Sequence, residues 1–448
     1  MSLWEKIAEF LPEVKSPLQR RLSFKEKLKW TLITLLLFLV LSLIPLYGLG
    51  ENQLQQFEFL SIILGASFGS IMSLGIGPLV TASIVLQLLH GAQILKFDVH
   101  SPEGRAKYQG MQKVLGLFFV IFEAAIYVFM GGLAPSESLS GTPLFFQFEL
   151  LLVFQLILGG ILVMFMDEVI SKWGFGSGIS LFIVAGVAQQ IFITALNPLP
   201  SPTNPDIAAG AIPALIQSLA AGDPQTALLK LATIVSTVVV FLVVVYTQGM
   251  KVEIPLSFGR IRGHGIRWPL KFFYTSNIPV ILVAALLANV QLWTQLAGYQ
   301  TPGFVSPPDV LTTLITTGIS GLWLVLPSIL LYSLIMVVGS IVFAIFWMQT
   351  ANMDPRSQAE NIMKSGMQVP GFRRDPRILE SVLKRYIWPL TVMGGAAVGL
   401  IASLADLTGA LSRGTGILLA VMIIYNLYED IARQHAMDMH PMMRKFME

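Results

Sequence analysis

Few side chains in this sequence are spaced for covalent chemistry. The five histidines stand apart at 90, 100, 264, 435 and 440, and there is no cysteine. No GxxxxGK[ST] loop, HExxH pair or GxGxxG turn occurs. Catalysis, a cofactor, a thiolate or histidine metal centre and disulfide chemistry are therefore not expected. Gly174, Gly176 and Gly178 invite a phosphate-loop reading, but no strand precedes them and no lysine closes the loop, so a turn into a membrane span is favoured. Asp167 and Glu168 sit beside Lys172 at a span end, where solvation or pairing accounts for them. Ionisable groups inside a bilayer cost several kcal/mol and mark function. Glu123, midway through an apolar run, is the clearest such group. The neutral polar residues deep in the apolar runs are Thr81, Ser83, Gln87, Gln155, Asn277 and Asn289, and helix-to-helix hydrogen bonding explains most of these.

The elements that must position these groups are membrane spans. Of the 448 residues 54% are hydrophobic and 12% charged, where a soluble domain carries about 25% charged. Ten apolar segments fall at 28–47, 76–90, 111–130, 144–166, 179–196, 227–246, 276–292, 322–347, 386–404 and 415–428. Most approach the ~20 residues that cross a hydrocarbon core. Lysine and arginine then alternate by side: 27 of the 29 fall on one face, with Lys230 and Arg413 on the other. By the positive-inside rule both termini are cytoplasmic, as an even number of spans requires. No cleavable signal is expected, because the mixed apolar and basic start runs straight into the first span. Trp4, Ile7, Ala8 and Leu11 share one helical face, which suits either an interfacial helix or a frayed tail.

Residues 54–90 are too long for one perpendicular span, and Gly65, Gly69, Gly75, Gly77 and Pro78 interrupt them. Two readings stay open for 57–67: a re-entrant element or plug, or a kinked helix with an extension. Non-helical backbone at membrane depth survives only inside protein or against a water-filled cavity. Bulky aliphatics flank the breaks: Ile76 and Val80, Ile179 and Ile183, Ile278 and Ile281. The two longest cytoplasmic loops interleave basic residues with aromatics. One carries Lys251, Arg260, Arg262, Arg267 and Lys271 among Phe258, Trp268 and Phe272; the other carries Arg373, Arg374 and Arg377. Such loops suit a phosphate-rich partner such as RNA, or they simply fix topology.

Several motifs, in this order, resemble the SecY family, the channel subunit of the protein-conducting translocase, in its archaeal and eukaryotic form. They are residues 24–30 (FKEKLKW), 74–78 with Thr81 (LGIGPLVT), 167–178 (DEVISKWGFGSG), 252–263 (VEIPLSFGRIRG), 276–280 (SNIPV), 384–386 with 389–392, and 414–416. The resemblance covers essentially the whole chain. It implies an all-α polytopic fold of ten transmembrane helices, in two pseudo-symmetric five-helix halves around a central pore. The halves would be 28–197 and 227–432, joined by an outer loop at 198–226. They would be flanked by an N-terminal segment, 1–27, and a cytoplasmic tail, 433–448, with cytoplasmic loops at 250–275 and 350–385.

By position, the resemblance makes Ile76, Val80, Ile179, Ile183, Ile281 and Leu419 the pore ring. Phe57, Phe59, Leu60, Ile62, Ile63 and Leu64 would belong to the plug. Thr81, Glu123 and Asn277 would form the polar cluster of a lateral gate, and Arg260, Arg262 and Arg373 would dock the ribosome through its RNA. The implied partners are SecE-type and Sec-beta-type small membrane subunits, ribosomes, signal peptides and nascent chains, and lipid, in the cell membrane. A secondary transporter is the alternative, but it would need more intramembrane charge than Glu123 supplies. The outer loop 197–223, rich in Pro and Ala, matches no motif.

Overall fold

Each of the ten expected spans coincides with a helix. The computed structural model describes residues 12–17, 22–52, 66–91, 94–95, 97–98, 101–139, 141–200, 207–258, 265–299, 303, 305–364, 367–368, 376–411 and 414–439. The expected plug residues 57–64, the amphipathic start at 4–11, and Arg260, Arg262 and Arg373 lie outside them.

The spanning helices are α1 (Phe24–Ser42), α2 (Gly77–Gly91), α3 (Pro102–Phe129), α4 (Pro143–Trp173) and α5 (Gly178–Leu196), then α7 (Pro224–Gln248), α8 (Ile278–Leu296), α9 (Val310–Thr350), α11 (Pro376–Leu407) and α12 (Gly414–Met439). Two shorter helices are added, α6 (Ala211–Ala221) in the loop between α5 and α7, and α10 (Pro355–Lys364) after α9. Among the described residues, seven helices are long and apolar enough to cross a membrane, with α2 and α8 shorter but apolar.

Local chemistry sets the ends. Ser101 accepts from Gly104 N at 3.0 Å with Pro102 following, which starts α3. Asp223 accepts from Gln225 N and Thr226 N to start α7. At 41 residues, α9 would reach about 60 Å if straight. Gly318 breaks it (φ 71°, ψ −166°), and the apolar stretch from 322 crosses the membrane beyond that break.

Close packing depends on missing side chains. A Cβ on Gly159 of α4 would overlap the Ile71 carbonyl oxygen, so glycine lets the irregular stretch before α2 lie against α4. A Cβ on Gly399 of α11 would press on Met336 O of α9, the small-residue contact that membrane helices use.

Short strands decorate the ends of the bundle. β1 (Leu49–Asn52) pairs antiparallel with β2 (Leu133–Pro135). β3 (Lys251–Phe258) pairs with β4 (Gly265–Lys271) along its length and with β5 (Met367–Gln368) near its end. The two basic loops are thus joined in one three-stranded sheet. Ile254 and Leu270 of that sheet share an apolar core with Ala359 and Ile362 of α10 and Leu379, Leu383 and Ile387 of α11.

Candidate functional site

The motif at 167–178 is a structural joint between spans. Asp167 Oδ1 accepts from Ile179 N at 3.0 Å and caps α5, while Phe175 N donates to Thr31 Oγ1 of α1 at 3.0 Å. Gly176 takes φ +69°, and a Cβ on Gly178 would strike Asp167. The glycine cluster is therefore the tight turn into α5. Glu168 pairs with Lys113 of α3 and reaches Lys172. Lys172 also bonds Glu13, Val14 N donates to Glu168 Oε2 at 2.9 Å, and Lys113 Nζ donates to Pro12 O at 3.1 Å, so residues 12–14 are stitched to α3 and to the end of α4. Lys172, through its hydrogen bond and then its charge, holds the Glu13 carboxyl below the usual 4.5.

The largest apolar core of the bundle draws on several spanning helices. Ile76 in the turn before α2, Val80 of α2, Ile183 of α5, Ile281 of α8 and Leu419 of α12 are buried in one apolar cluster, and Ile179 of α5 packs against it. The five buried members run from 0% exposed for Ile76, Ile183 and Leu419 to 6% for Ile281, while Ile179 is only partly buried. The six residues named from the motifs thus fall in or against one large apolar core, although they are separated by up to 343 positions in sequence. Chemically the cluster offers no ligand for an ion, and branched aliphatics can close around an apolar or extended chain without holding it.

Beside this cluster lies a polar one. Thr81 Oγ1 of α2 donates to Glu123 Oε1 of α3 at 3.0 Å, and Asn289 Nδ2 of α8 donates to Thr81 Oγ1 at 3.1 Å. All three residues are buried, Glu123 completely. Its Oε2 has no hydrogen-bond partner among the described residues.

The expected third member is corrected. Asn277 precedes the first turn of α8, where its Oδ1 accepts from Ser276 Oγ at 3.0 Å. Asn289 lies 12 residues further on, about 18 Å along a helix, and it is this asparagine that reaches Thr81. The signal for it was present, since Asn289 is polar and deep in an apolar run, but the SNIPV motif drew attention to the wrong asparagine.

Asp406 was missed altogether. It is 1% exposed at the end of α11. It accepts from Tyr332 Oη of α9 at 2.6 Å, from Thr415 N of α12 at 2.7 Å, and from Thr415 Oγ1. The apolar segment read from the sequence stopped at 404, two residues short of it.

At the other end of α12, Lys251 and Lys271 at the root of the β3–β4 hairpin both pair with Glu429. Lys271 also donates to Asn426 Oδ1 at 2.9 Å. The hairpin is therefore fixed at its base to a spanning helix.

Residues 70–428 match the family model described as SecY, and residues 36–69 match the model described as the plug domain of Sec61p. The protein translocase subunit SecY of Methanothermobacter thermautotrophicus is 46% identical over 456 residues, spanning 99% of this chain and 98% of that protein. A solved structure of a protein conducting channel superposes with a TM-score of 0.84 at 39% identity, covering 98% of this chain and 99% of the other. Sec61 in the canine ribosome-channel complex from the endoplasmic reticulum superposes at 0.81 with 37% identity, covering 98% and 99%.

Proposed function

The chain belongs to the SecY family, and we propose on that premise that it is a protein-conducting channel rather than a solute transporter or a catalyst. Unfolded secretory polypeptide crosses the membrane through its centre, and hydrophobic segments leave sideways into lipid. The observation that supports this reading is that Ile76, Val80, Ile179, Ile183, Ile281 and Leu419, at or beside four spanning helices, all fall in or against one apolar core. It acts as a seal that parts around a translocating chain. The plug, with Phe57, Phe59, Leu60, Ile62, Ile63 and Leu64, lies within the region 36–69 matched to the plug model. It closes the seal from the outer side.

Spans α1–α5 form one half and spans α7–α9, α11 and α12 the other, and the gate opens where α8 meets α2 and α3. Thr81, Glu123 and Asn289 are its polar seam. Such a seam lets a hydrophobic segment gain by passing into lipid while a polar chain does not. Asn277 borders the same passage at the start of α8.

Both termini and the β3–β4–β5 platform face the cytoplasm, as the one-sided positive charge requires. Arg260 and Arg262 follow β3, and Arg373 stands beyond β5. They dock ribosomal RNA, supported by the joining of both basic loops in one sheet. SecE-type and Sec-beta-type subunits complete the assembly in the cell membrane.

The test is reconstitution of the chain with its small subunits in vesicles. An unfolded secretory precursor should become protected from added protease, with no accumulation of small solutes. Solute uptake without protection of the precursor would overturn the reading.

A further inference from the structure

The loop between α5 and α7 matched no motif, yet it contains an ordered helix with an unusual surface. From Ile207 to Gly222 there is no charged residue. In α6, Ala211, Ala214 and Ser218 are buried, while Ile212, Ile216 and Leu219 stand out, the last two 63% and 66% exposed. The buried set falls at i, i+3 and i+7 and the exposed set at i, i+4 and i+7, so each marks one helical face.

Both ends of α6 are pinned at the ends of spans. Gly210 N donates to Asn197 O just beyond α5 at 2.8 Å. Gly222 ends α6 in the left-handed region (φ 74°), and Asp223 starts α7 at once. Ala208 N donates to Gln217 Oε1 at 2.6 Å, bracing the approach to the helix. α6 packs on α5 and α7, so it lies at the bundle end remote from the β3–β4 hairpin.

We infer that α6 is an interfacial helix whose Ile212, Ile216 and Leu219 face is buried in the acyl chains of the outer leaflet, anchoring the connection between the two halves. This rests on the reading of the chain as a membrane-spanning channel. Lipid is favoured over a partner helix because membrane helices meet through small residues. Ala211, Ala214 and Ser218 of α6 are already buried, and the large side chains left outward are the aliphatic Ile212, Ile216 and Leu219.

The two spans that α6 packs on also turn apolar side chains outward. Leu228, Leu231 and Val235 in the first half of α7 and Phe192, Ile193 and Leu196 at the end of α5 are exposed. An outward aliphatic face can be buried at the headgroup–acyl boundary, whereas in water it would leave an exposed apolar patch.

The chain has no cysteine, so single-site labelling is direct. Ile216→Cys, Leu219→Cys and, as an aqueous control at the same bundle end, Ser138→Cys are labelled with an environment-sensitive fluorophore. The labelled chain, with the small subunits that copurify, is placed in phosphatidylcholine–phosphatidylglycerol vesicles. Acyl-chain nitroxide lipid should quench positions 216 and 219 severalfold more than iodide does, with the order reversed at 138. Iodide quenching at 216 and 219 matching that at 138 overturns the inference. Shielding from both quenchers also overturns it, because another protein chain then covers the face. Vesicles that translocate precursor while failing this test refute the lipid anchor alone, whereas lipid-quenched labels in vesicles that translocate nothing count against the channel instead.

Discussion

Replacing Glu123 with leucine and replacing Asn289 with alanine should move the lateral gate in opposite directions. The closed seam holds two side-chain bonds, Thr81 to Glu123 and Asn289 to Thr81, and a buried carboxyl oxygen without a partner among the described residues. Opening separates α8 from α2 and α3, so it breaks the Asn289–Thr81 bond, worth about 1 kcal/mol inside a membrane. The same step exposes Glu123 Oε2 to water and relieves an unsatisfied group that costs about 1–3 kcal/mol. Glu123→Leu removes that relief and stabilises the closed gate by about 2 kcal/mol. Asn289→Ala removes only the tie and destabilises closure by about 1 kcal/mol.

The assay is membrane insertion of test segments of graded leucine content. A central leucine contributes roughly 0.5 kcal/mol to insertion. The half-insertion point should therefore rise by roughly four leucines in Glu123→Leu and fall by roughly two in Asn289→Ala. Shifts of the same sign, or a shift of less than one leucine in both, would refute the account of the seam.

Three other outcomes follow from the same structure. Arg260→Glu or Arg373→Glu should weaken salt-sensitive ribosome binding to vesicles carrying the assembly, each lowering the slope of affinity against salt by about 1; unchanged binding in both would sink the docking assignment. Ile76→Gly with Ile281→Gly, combined with deletion of 57–67, should raise ion leakage through vesicles above the parent level. The Ile76→Val and Ile281→Val pair should not, and wild-type leakage in the glycine variant would mean the seal lies elsewhere. Asp406→Ala removes the acceptor for Tyr332 and for both Thr415 bonds, which should cost about 3 kcal/mol in detergent unfolding, against about 1 kcal/mol for Tyr332→Phe; equal losses would mean the cluster does not tie α9, α11 and α12.

The spans were legible because hydropathy over about 20 residues reports burial in lipid directly. Their ends were less so. α11 begins at Pro376, ten residues before the expected segment, because Leu379 and Leu383 are buried between Lys384, Arg385 and Glu380, whose charges dilute an averaging window. Asp406 escaped notice for the same reason at the other end. The aliphatic ring depended on family resemblance, since isoleucine and valine beside a helix break look the same whether they meet lipid or one another. The three-stranded joining of the basic loops was not visible at all, because β5 contributes only Met367 and Gln368 to it. Helix α6 was hidden by the Pro- and Ala-rich run in which it sits. The asparagine at the seam was a choice between two polar residues 12 positions apart, and only the packing of α8 on α2 distinguishes them.

The claim that matters most is that a polypeptide passes through the centre of the bundle, and it is tested by crosslinking a stalled secretory chain carrying a photoreactive residue at mid-membrane. Crosslinks should form to Ile76, Ile183, Ile281 and Leu419, and they should weaken when the residue is moved towards either end. Crosslinks confined to lipid-exposed positions such as Leu242 or Leu330 would contradict it.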